Sequence, residues 1–185
     1  MNDAVIRPAV LTDSASIATI YNHYVTNTVI TFEEEPVPAQ AMAGRIVEIQ
    51  AQDLPWLVAE RDGQVIGYCY ASRWKARSAY RHSVETTIYL RHGHEGRGLG
   101  RRLYGALLDI LKTRDIHAAI GGAALPNAAS VALHEKLGFF HTGTYRKVGF
   151  KMGEWLDVGL WQKELAPRSA APSEPRPFAS FDPPH

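Results

Sequence analysis

Apolar residues recur every three or four positions in two long segments of the chain, which is the spacing of one face of a helix. The first segment follows Thr12 and Asp13, either of which can cap its amino end, and the second spans residues 99–112. The second presents a row of leucines to the core: Leu103, Leu107, Leu108 and Leu111. We expect two further helices, over residues 39–51 and 128–137.

Short apolar runs between these helices predict strands. A first strand over residues 5–7 is expected to end at Pro8, and two later strands form a hairpin through Asp62-Gly63. A strand of small residues over 118–124 is expected to be interrupted at Gly121-Gly122. The other runs cover 56–59, 65–71, 84–90 and two final strands from Phe139 to about Gln162. This order of strands and helices predicts an α/β fold with a mixed sheet.

Composition and charge exclude several classes of protein. With 185 residues, of which 45% are hydrophobic and 21% charged, the chain has the size and make-up of one globular domain. A net charge of +1 creates no global field for nucleic acid or an anionic membrane, so any anion site must be local. We find no signal peptide and no apolar run of about 18 residues. We therefore expect a cytoplasmic protein without nucleic-acid or membrane partners.

The last twenty residues, 166–185, hold six of the eleven prolines. Such a segment buries too little surface to offset the entropy of ordering it, so we predict a flexible tail after a domain of residues 1–165. Phe178 and Phe181 are the tail residues that could dock on the domain, although the sequence does not indicate where.

A glycine-rich segment joins a predicted strand to the helix over 99–112. Residues 91–102 include Gly96, Gly98 and Gly100, and Arg97, Arg101 and Arg102 add local positive charge. Glycines let the backbone approach a ligand closely, and the amides of the following helix start attract an anion such as a diphosphate. A tight connection without a ligand is the alternative. Two nucleotide motifs are disfavoured, because no Gly-Lys-Ser/Thr follows and the loop does not open a Rossmann unit.

A second group of polar residues lies at the start of the helix over 128–137. Asn127 follows Pro126 and can cap this helix, and Gly138 can end it. Ser130 and His134 are four residues apart, so they share one face and can meet the same ligand.

These two motifs, in this order, resemble the GCN5-related N-acetyltransferase (GNAT) superfamily over residues 4–165. The resemblance implies a mixed central sheet of about seven strands flanked by four helices, with acetyl-CoA as co-substrate. It also implies that Glu95 departs from the family pattern, where Gln or Arg precedes the glycines. The cofactor contacts it implies are the backbone of Ile88, Tyr89 and Leu90, the loop residues Gly96, Arg97, Gly98, Leu99, Gly100 and Arg101, and the side chains of Asn127 and Ser130.

A narrower resemblance, to the phosphinothricin and methionine sulfone or sulfoximine acetyltransferase branch, rests on residues 20–28, 31–36, 74–80 and Val84-Glu85. It implies a homodimer that acts on a small amino-acid-like acid. The substrate contacts it implies are Phe32, Lys75, Arg77, Tyr80, Glu85, Thr86 and Thr87. Two cations and a phenol suit a carboxylate and a second oxyanion. A solvated basic loop is the alternative for Lys75, Arg77 and Tyr80.

Two residues are candidates for proton transfer. Glu85 lies in an apolar strand and could take the proton of an α-amino group as a general base, although an ion pair with Arg77 or Arg81 is the alternative. His134 matches a histidine of the branch and could contact coenzyme A, relay a proton, or only cap and pack.

Cys69, the single cysteine, is expected to be a buried core residue. The histidines show no metal-ligand spacing, so we expect no metal.

The sequence thus predicts an acetyl-CoA-dependent N-acetyltransferase in which the α-amino group attacks the thioester directly. Two rival functions remain, an acetyltransferase for protein N-termini or lysines, and a non-catalytic acyl-CoA-binding module. For the homodimer, Trp155 and Trp161 are aromatic residues that could anchor the interface or belong to the core.

Overall fold

A computed structural model describes residues 4–166 and 172–178, and in these residues a seven-stranded sheet is covered by four helices. The helices are α1 Ser14–Asn27, α2 Ala39–Gln50, α3 Leu99–Lys112 and α4 Ala128–Lys136. The strands are β1 Val5–Pro8, β2 Trp56–Arg61, β3 Gln64–Arg73, β4 Ser83–Leu90, β5 Ala118–Leu125, β6 Phe140–Lys151 and β7 Glu154–Glu164. Short 3₁₀ turns cover Leu11–Asp13 and Ser78–Tyr80.

The sheet has the strand order β1-β2-β3-β4-β5-β7-β6, and every neighbouring pair is antiparallel except β4 and β5. This confirms the predicted α/β fold with a mixed central sheet of about seven strands and four helices. None of the helices in the described part of the chain has the length and apolarity that a membrane crossing requires.

The parallel strands β4 and β5 separate halfway along their length. They pair from Ser83 and Ala118 to Glu85 and Ile120, whereas β4 stays paired with β3 as far as Leu90. The N–H of Arg91 donates to the carbonyl oxygen of Ile66 in β3 (2.9 Å), so the backbone groups of Arg91 face β3. Because the direction of these groups alternates along a strand, the backbone groups of Leu90 and Ile88 face away from β3. The sheet therefore opens into a wedge whose one wall carries backbone groups of β4 not used in pairing with β3.

Two local predictions are wrong, and a third, that the first strand ends at Pro8, is confirmed to within one residue. Pro8 is the last residue of the edge strand β1 and pairs with Leu57, because an edge position tolerates a residue without an N–H. β5 runs unbroken through its two central glycines, since β7 pairs with it along its whole length. Asp13 precedes α1 without capping it: its carboxylate binds the Arg7 guanidinium (2.7 and 2.8 Å) and the N–H of Val10 (2.9 Å).

The predicted ends of α4 are confirmed. The N–H of Ser130 donates to Oδ1 of Asn127 (3.0 Å), and Gly138 follows the helix with φ +83°.

Cys69 is fully buried in the core, where burial raises the pKa of its thiol. Trp161 is buried as well, whereas Trp155 is 63% exposed.

Residues 172–178 lie against the domain near the end of α3. Phe178 packs against the core, and its ring centroid lies 4.9 Å from the guanidinium carbon of Arg114. The division of the chain at residue 166 stays a prediction. Phe181 and most of the remaining tail lie outside the described residues.

Candidate active site

The wedge between β4 and β5 opens into a cleft of about 1400 Å³. α1, the amino end of α3 and α4 complete its walls, so side chains from distant parts of the chain meet there. Of the predicted site residues, the cleft is lined by Phe32, Glu85, Thr86, Thr87, Ile88, Tyr89, Leu90, Gly96, Gly98, Gly100, Arg101, Asn127, Ser130 and His134. Leu99 is buried as the first residue of α3, and Arg97 is exposed on the loop before it.

The amino end of α3 forms one end of the cleft. Gly98, its N-cap, has φ +80° and Gly96 has φ +76°, conformations that side-chain-bearing residues rarely adopt. A Cβ added at Gly98 would meet nothing within 4 Å in the protein, so the space beside this backbone is open. The amides of the first helical turn are therefore accessible to an anion, and the helix dipole favours negative charge there.

Glu95 organises the turn before these glycines. Its carboxylate accepts a hydrogen bond from the N–H of Gly93 (2.7 Å) and lies 3.4 Å from the hydroxyl of Tyr24. That hydroxyl donates to the carbonyl of Leu90 (2.7 Å), which links the turn to the end of β4. Burial, with a contribution from the charge of Glu95, raises the pKa of Tyr24 to about 12. The residue that departs from the family pattern therefore shapes the loop.

Glu85 lies where the pairing of β4 with β5 ends. Burial raises the pKa of its carboxyl group, and the positive charge of Lys75 opposes this shift only in part. Arg81 is bound to Glu174 instead (2.8 Å), and within residues 4–166 and 172–178 no ion pair of Glu85 is found. The alternative of an ion pair with Arg77 or Arg81 thus has no support. A half-buried carboxylate without an ionic partner is suited to accept a proton.

His134 is 3% exposed and is held through both ring nitrogens. Nδ1 lies 2.8 Å from the carbonyl oxygen of Ser130, which can only accept, so Nδ1 carries a proton. Nε2 lies 3.1 Å from the hydroxyl of Tyr104, which lies 2.6 Å from Oγ1 of Thr86. Thr86 in turn donates to the carbonyl of Ile120 (3.1 Å). A buried chain of hydrogen bonds therefore joins α4, α3, β4 and β5 beneath the cleft.

This chain is one proton short when His134 is neutral. The three bonds from Nε2 to Tyr104, Thr86 and the carbonyl of Ile120 each need a proton, and only the two hydroxyl protons are available. A proton on Nε2 would complete the chain. Burial opposes it and lowers the pKa of His134, whereas the bond to Ser130 raises it. The network therefore favours proton uptake at a ring that its burial keeps neutral.

The tight approach of His134 to β5 explains why Gly121 has no side chain. A Cβ at Gly121 would lie inside van der Waals contact of the imidazole. The same ring meets Phe139 edge to face at a centroid distance of 5.0 Å and stacks on Trp161 at 6.1 Å. The glycine in β5 is thus needed for packing rather than for a break in the strand.

Comparison with known proteins agrees with this architecture. Residues 6–160 match the model of the acetyltransferase (GNAT) domain family. The chain belongs to this family. Its relatives show that it is an N-acetyltransferase. Over 172 residues it is 41% identical to phosphinothricin N-acetyltransferase of Streptomyces viridochromogenes, and the match covers 93% of this chain and 91% of the relative.

Two further comparisons indicate which branch of the family this acetyltransferase belongs to. It is 36% identical to the L-methionine sulfoximine/L-methionine sulfone acetyltransferase of Salmonella typhimurium, over 89% of this chain and 96% of that one. It superposes with a TM-score of 0.90 and 37% identity on a phosphinothricin acetyltransferase of Sinorhizobium meliloti in complex with acetyl-CoA, covering 96% and 98% of the two chains. The resemblance to the GNAT superfamily and to this branch is confirmed.

The loop expected to bind the acid in this acetyltransferase lies beside the cleft rather than in its wall. Lys75, Arg77 and Tyr80 are exposed, and the ammonium of Lys75 lies 4.6 Å from the ring centroid of Trp74. Lys75 and Arg77 line a second cavity of about 400 Å³ together with Glu174. Lys75 is close enough to affect the pKa of Glu85, but substrate binding by the three residues stays a prediction.

Sequence reasoning missed Lys151, a buried residue at the end of β6. Its ammonium donates to the carbonyls of Val25 (2.7 Å) and Thr31 (2.8 Å) and so holds the loop before Phe32, whose ring covers Gly149. Burial lowers the pKa of Lys151. No local signal marks such a lysine, because its partners lie more than a hundred residues earlier in the chain.

Proposed function

We propose that this N-acetyltransferase transfers the acetyl group of acetyl-CoA to the α-amino group of a small acidic amino-acid analogue of the phosphinothricin, methionine sulfone or methionine sulfoximine type. The observation that carries the proposal is the half-buried Glu85 at the point where β4 and β5 separate, which has no ion pair within residues 4–166 and 172–178. The names of the relatives support the substrate class. The cytoplasmic location expected from the sequence stays a prediction.

The main chain around the wedge fits an extended acetyl donor. The amides at the amino end of α3 would hold the diphosphate, with the open face of Gly98 leaving room for it and Arg101 adding charge. The backbone of Ile88 and the N–H of Leu90 face the wedge, where they can pair with a pantetheine chain, whereas the carbonyl of Leu90 already accepts from Tyr24. Asn127 and Ser130 line the same path from α4, although Oδ1 of Asn127 also caps the helix.

The chemistry requires a base, because an α-amino group is mostly protonated near neutral pH and only the free amine attacks a thioester. Glu85 would take one proton from the ammonium, directly or through a water molecule. The nitrogen then bonds to the carbonyl carbon, and the carbon–sulfur bond breaks when the tetrahedral intermediate collapses. The electron pair leaves on the sulfur of coenzyme A, and the second amine proton passes to that thiolate, directly or through water, as the amide forms.

His134 would supply protons through its hydrogen-bonded chain rather than by touching the amine. Its ring is enclosed, and Tyr104 lies between Nε2 and Thr86, the residue next to Glu85. The chain gains a hydrogen bond when it takes up a proton, and it can release that proton towards the thiolate. Phe32 and Thr87, both on the wall of the cleft, would enclose the side chain of the substrate.

A homodimer is supported by an exposed apolar surface on the last two strands. Phe140, Phe150 and Trp155 are each more than half exposed, and Tyr145, Val148 and Met152 continue the surface. Large apolar patches of this kind mark interaction surfaces. Trp161 is buried and cannot contribute. Light scattering at micromolar concentration tests the assembly, and a monomer would contradict it.

Thiol release from acetyl-CoA, measured over a panel of amines, tests the proposed function. We expect turnover with phosphinothricin, methionine sulfone or methionine sulfoximine and little with peptides that have a free N-terminus or a lysine. Preference for the peptides would favour the first rival, a protein acetyltransferase. Calorimetric binding of acetyl-CoA without thiol release on any amine would favour the second rival, a binding module.

A further inference from the structure

The segment of residues 174–178, named here the C-terminal strap, is attached to the end of α3 by several independent contacts. The N–H of Arg176 donates to the carbonyl of Arg114 (3.0 Å), and Nη1 of Arg114 donates back to the carbonyl of Arg176 (3.3 Å). Nε of Arg176 donates to Oδ2 of Asp115 (3.0 Å), and Phe178 packs beneath the guanidinium of Arg114. Arg114 is 8% exposed, so this anchor includes a buried cation.

From this anchor, Glu174 reaches the loop expected to bind the substrate. Its carboxylate accepts three hydrogen bonds from Arg81, two from Nε (2.8 and 3.0 Å) and one from Nη2 (2.8 Å). Arg81 also closes the preceding turn on itself, because its N–H (3.1 Å) and its Nη1 (3.3 Å) both donate to the carbonyl of Ser78. One side chain therefore connects the turn at Ser78–Tyr80 to the strap.

The loop needs such a contact because its own charges repel. Arg73, Lys75, Arg77 and Arg81 lie within nine residues and line one cavity. The strap contributes Glu174 to it, and also Arg176, whose charge is paired with Asp115. The turn is exposed, and its internal bonds are few, such as that from the N–H of Tyr80 to the carbonyl of Arg77 (3.0 Å). A carboxylate held against Arg81 offsets part of this repulsion and limits the positions of the loop.

We propose that the strap is a positioning element for substrate binding. By holding Arg81 it fixes the turn that follows Lys75 and Arg77, and so keeps both cations in reach of a substrate whose amine lies near Glu85. Its link to the substrate rests on the proposed function; its link to the loop does not. Glu174 itself touches no reacting group, and its effect passes through Arg81.

Glu174→Gln tests the proposal, because it removes the charge and keeps the anchor at Arg176 and Phe178. A partly exposed ion pair contributes little, so we expect the KM for the amino-acid analogue to rise up to about fivefold. The kcat and the KM for acetyl-CoA should stay unchanged. The difference from the parent should shrink as salt is raised, since salt screens the pair. Glu48→Gln, on the exposed face of α2, is the matched control.

Exchanging the two charges distinguishes positioning from general stability. Arg81→Glu alone should raise the KM, and adding Glu174→Arg should restore most of the loss if the two side chains act as a pair. No restoration, with an unchanged KM in Glu174→Gln, would overturn the proposal.

Hydrogen exchange of the amides of Tyr80 and Arg81, measured without substrate, is independent of the proposed function. We expect faster exchange in Glu174→Gln than in the parent or in Glu48→Gln. If the parent acetylates none of the analogues, the proposed function fails and exchange alone decides whether the strap holds the loop. Faster exchange with an unchanged KM would overturn the role in substrate binding, and equal exchange would overturn the strap altogether.

Discussion

The two ends of the candidate site are built from different parts of the polypeptide. At the end formed by α3 and the wedge, the groups offered to a ligand are main-chain amides and carbonyls, kept open by Gly98. At the end formed by the loop of residues 74–81, they are the charged tips of exposed side chains that the strap holds in part. Glu85 and the buried chain from His134 lie between the two ends.

Because of this difference, substitutions of side chains should affect ligand binding differently at the two ends. Main-chain recognition depends on backbone conformation and tolerates changes of side chain, provided that the glycines stay. Recognition by exposed cations depends on which side chains are present and is weakened by solvent. A fixed acetyl donor and a variable amine substrate fit this division. The following predictions test it, beginning at the centre, where the expected effect is largest.

Glu85→Gln should lower kcat by about 10²–10⁴-fold, the usual contribution of a general base. Affinity for acetyl-CoA should remain nearly unchanged, because the proposed cofactor contacts lie on the main chain. Steady-state thiol release and calorimetry measure the two quantities. Glu135→Gln, an exposed residue of α4, is the control. A near-normal rate across the pH range would remove Glu85 from the mechanism.

Gly98→Val should weaken acetyl-CoA binding by at least about tenfold, since a left-handed conformation costs a side-chain-bearing residue roughly 1–2 kcal/mol and the side chain obstructs the approach to the amides. Gly98→Ala has the same strain with less obstruction and should have a smaller effect. Calorimetry on the folded variants measures both. Gly105→Ala is the control on the same helix: the added Cβ would meet no atom within 4 Å, so this variant should bind acetyl-CoA normally. Unaltered affinity in Gly98→Val would contradict binding at this helix end.

The sequence predicts the main-chain features of the site better than its side-chain contacts. The loop at Gly98 and the cap at Asn127 could be found because a conformation or a cap is encoded in a few consecutive residues. The order of strands and helices along the chain follows from apolar spacing, and the make-up of the sheet, about seven strands with four helices, follows from the family resemblance. Asp62-Gly63 correctly marks the hairpin between β2 and β3.

The buried chain could not be found from local patterns. Thr86, Tyr104 and His134 come from three elements, and their hydroxyl and imidazole groups meet only after the helices pack on the sheet. Tyr104 stands among the leucines of α3, where its sequence position indicates core and nothing more. The break predicted in β5 failed for a related reason, since local propensity at Gly121 was overridden by pairing with β7.

Arg77→Ala, at the exposed end, should raise the KM of the substrate by no more than about fivefold, because an exposed cation is screened by water. A cation buried against the acid of the substrate would give a much larger loss. The KM for acetyl-CoA should not change, and Lys112→Ala, an exposed residue at the end of α3, should have no effect. Esterifying the acid of the substrate should mimic the loss in the parent enzyme. If ester and free acid react equally well, the loop does not bind the acid.

The smallest expected effect concerns stability and again depends on Glu85. Its pKa in the folded protein is raised above the ordinary value of 4.5, so the unfolded chain loses the proton first as the pH rises. The stability associated with the protonated carboxyl is fully present below pH 4.5 and is lost as the pH rises through the folded pKa. Glu85→Gln removes the free-energy cost of the buried charge and should raise the free energy of unfolding at pH 7.5, at the expense of activity.

Urea unfolding at pH 7.5 and at pH 4 measures this difference, with Glu135→Gln as the control for loss of a surface charge. The gain should be present at pH 7.5 and should vanish at pH 4, where the parent's carboxyl is protonated in both states. A parent that is more stable than the variant at pH 7.5 would mean that Glu85 has a favourable partner when charged. It would then be a structural ion rather than a free base, and the base of the proposed reaction would have to be another group.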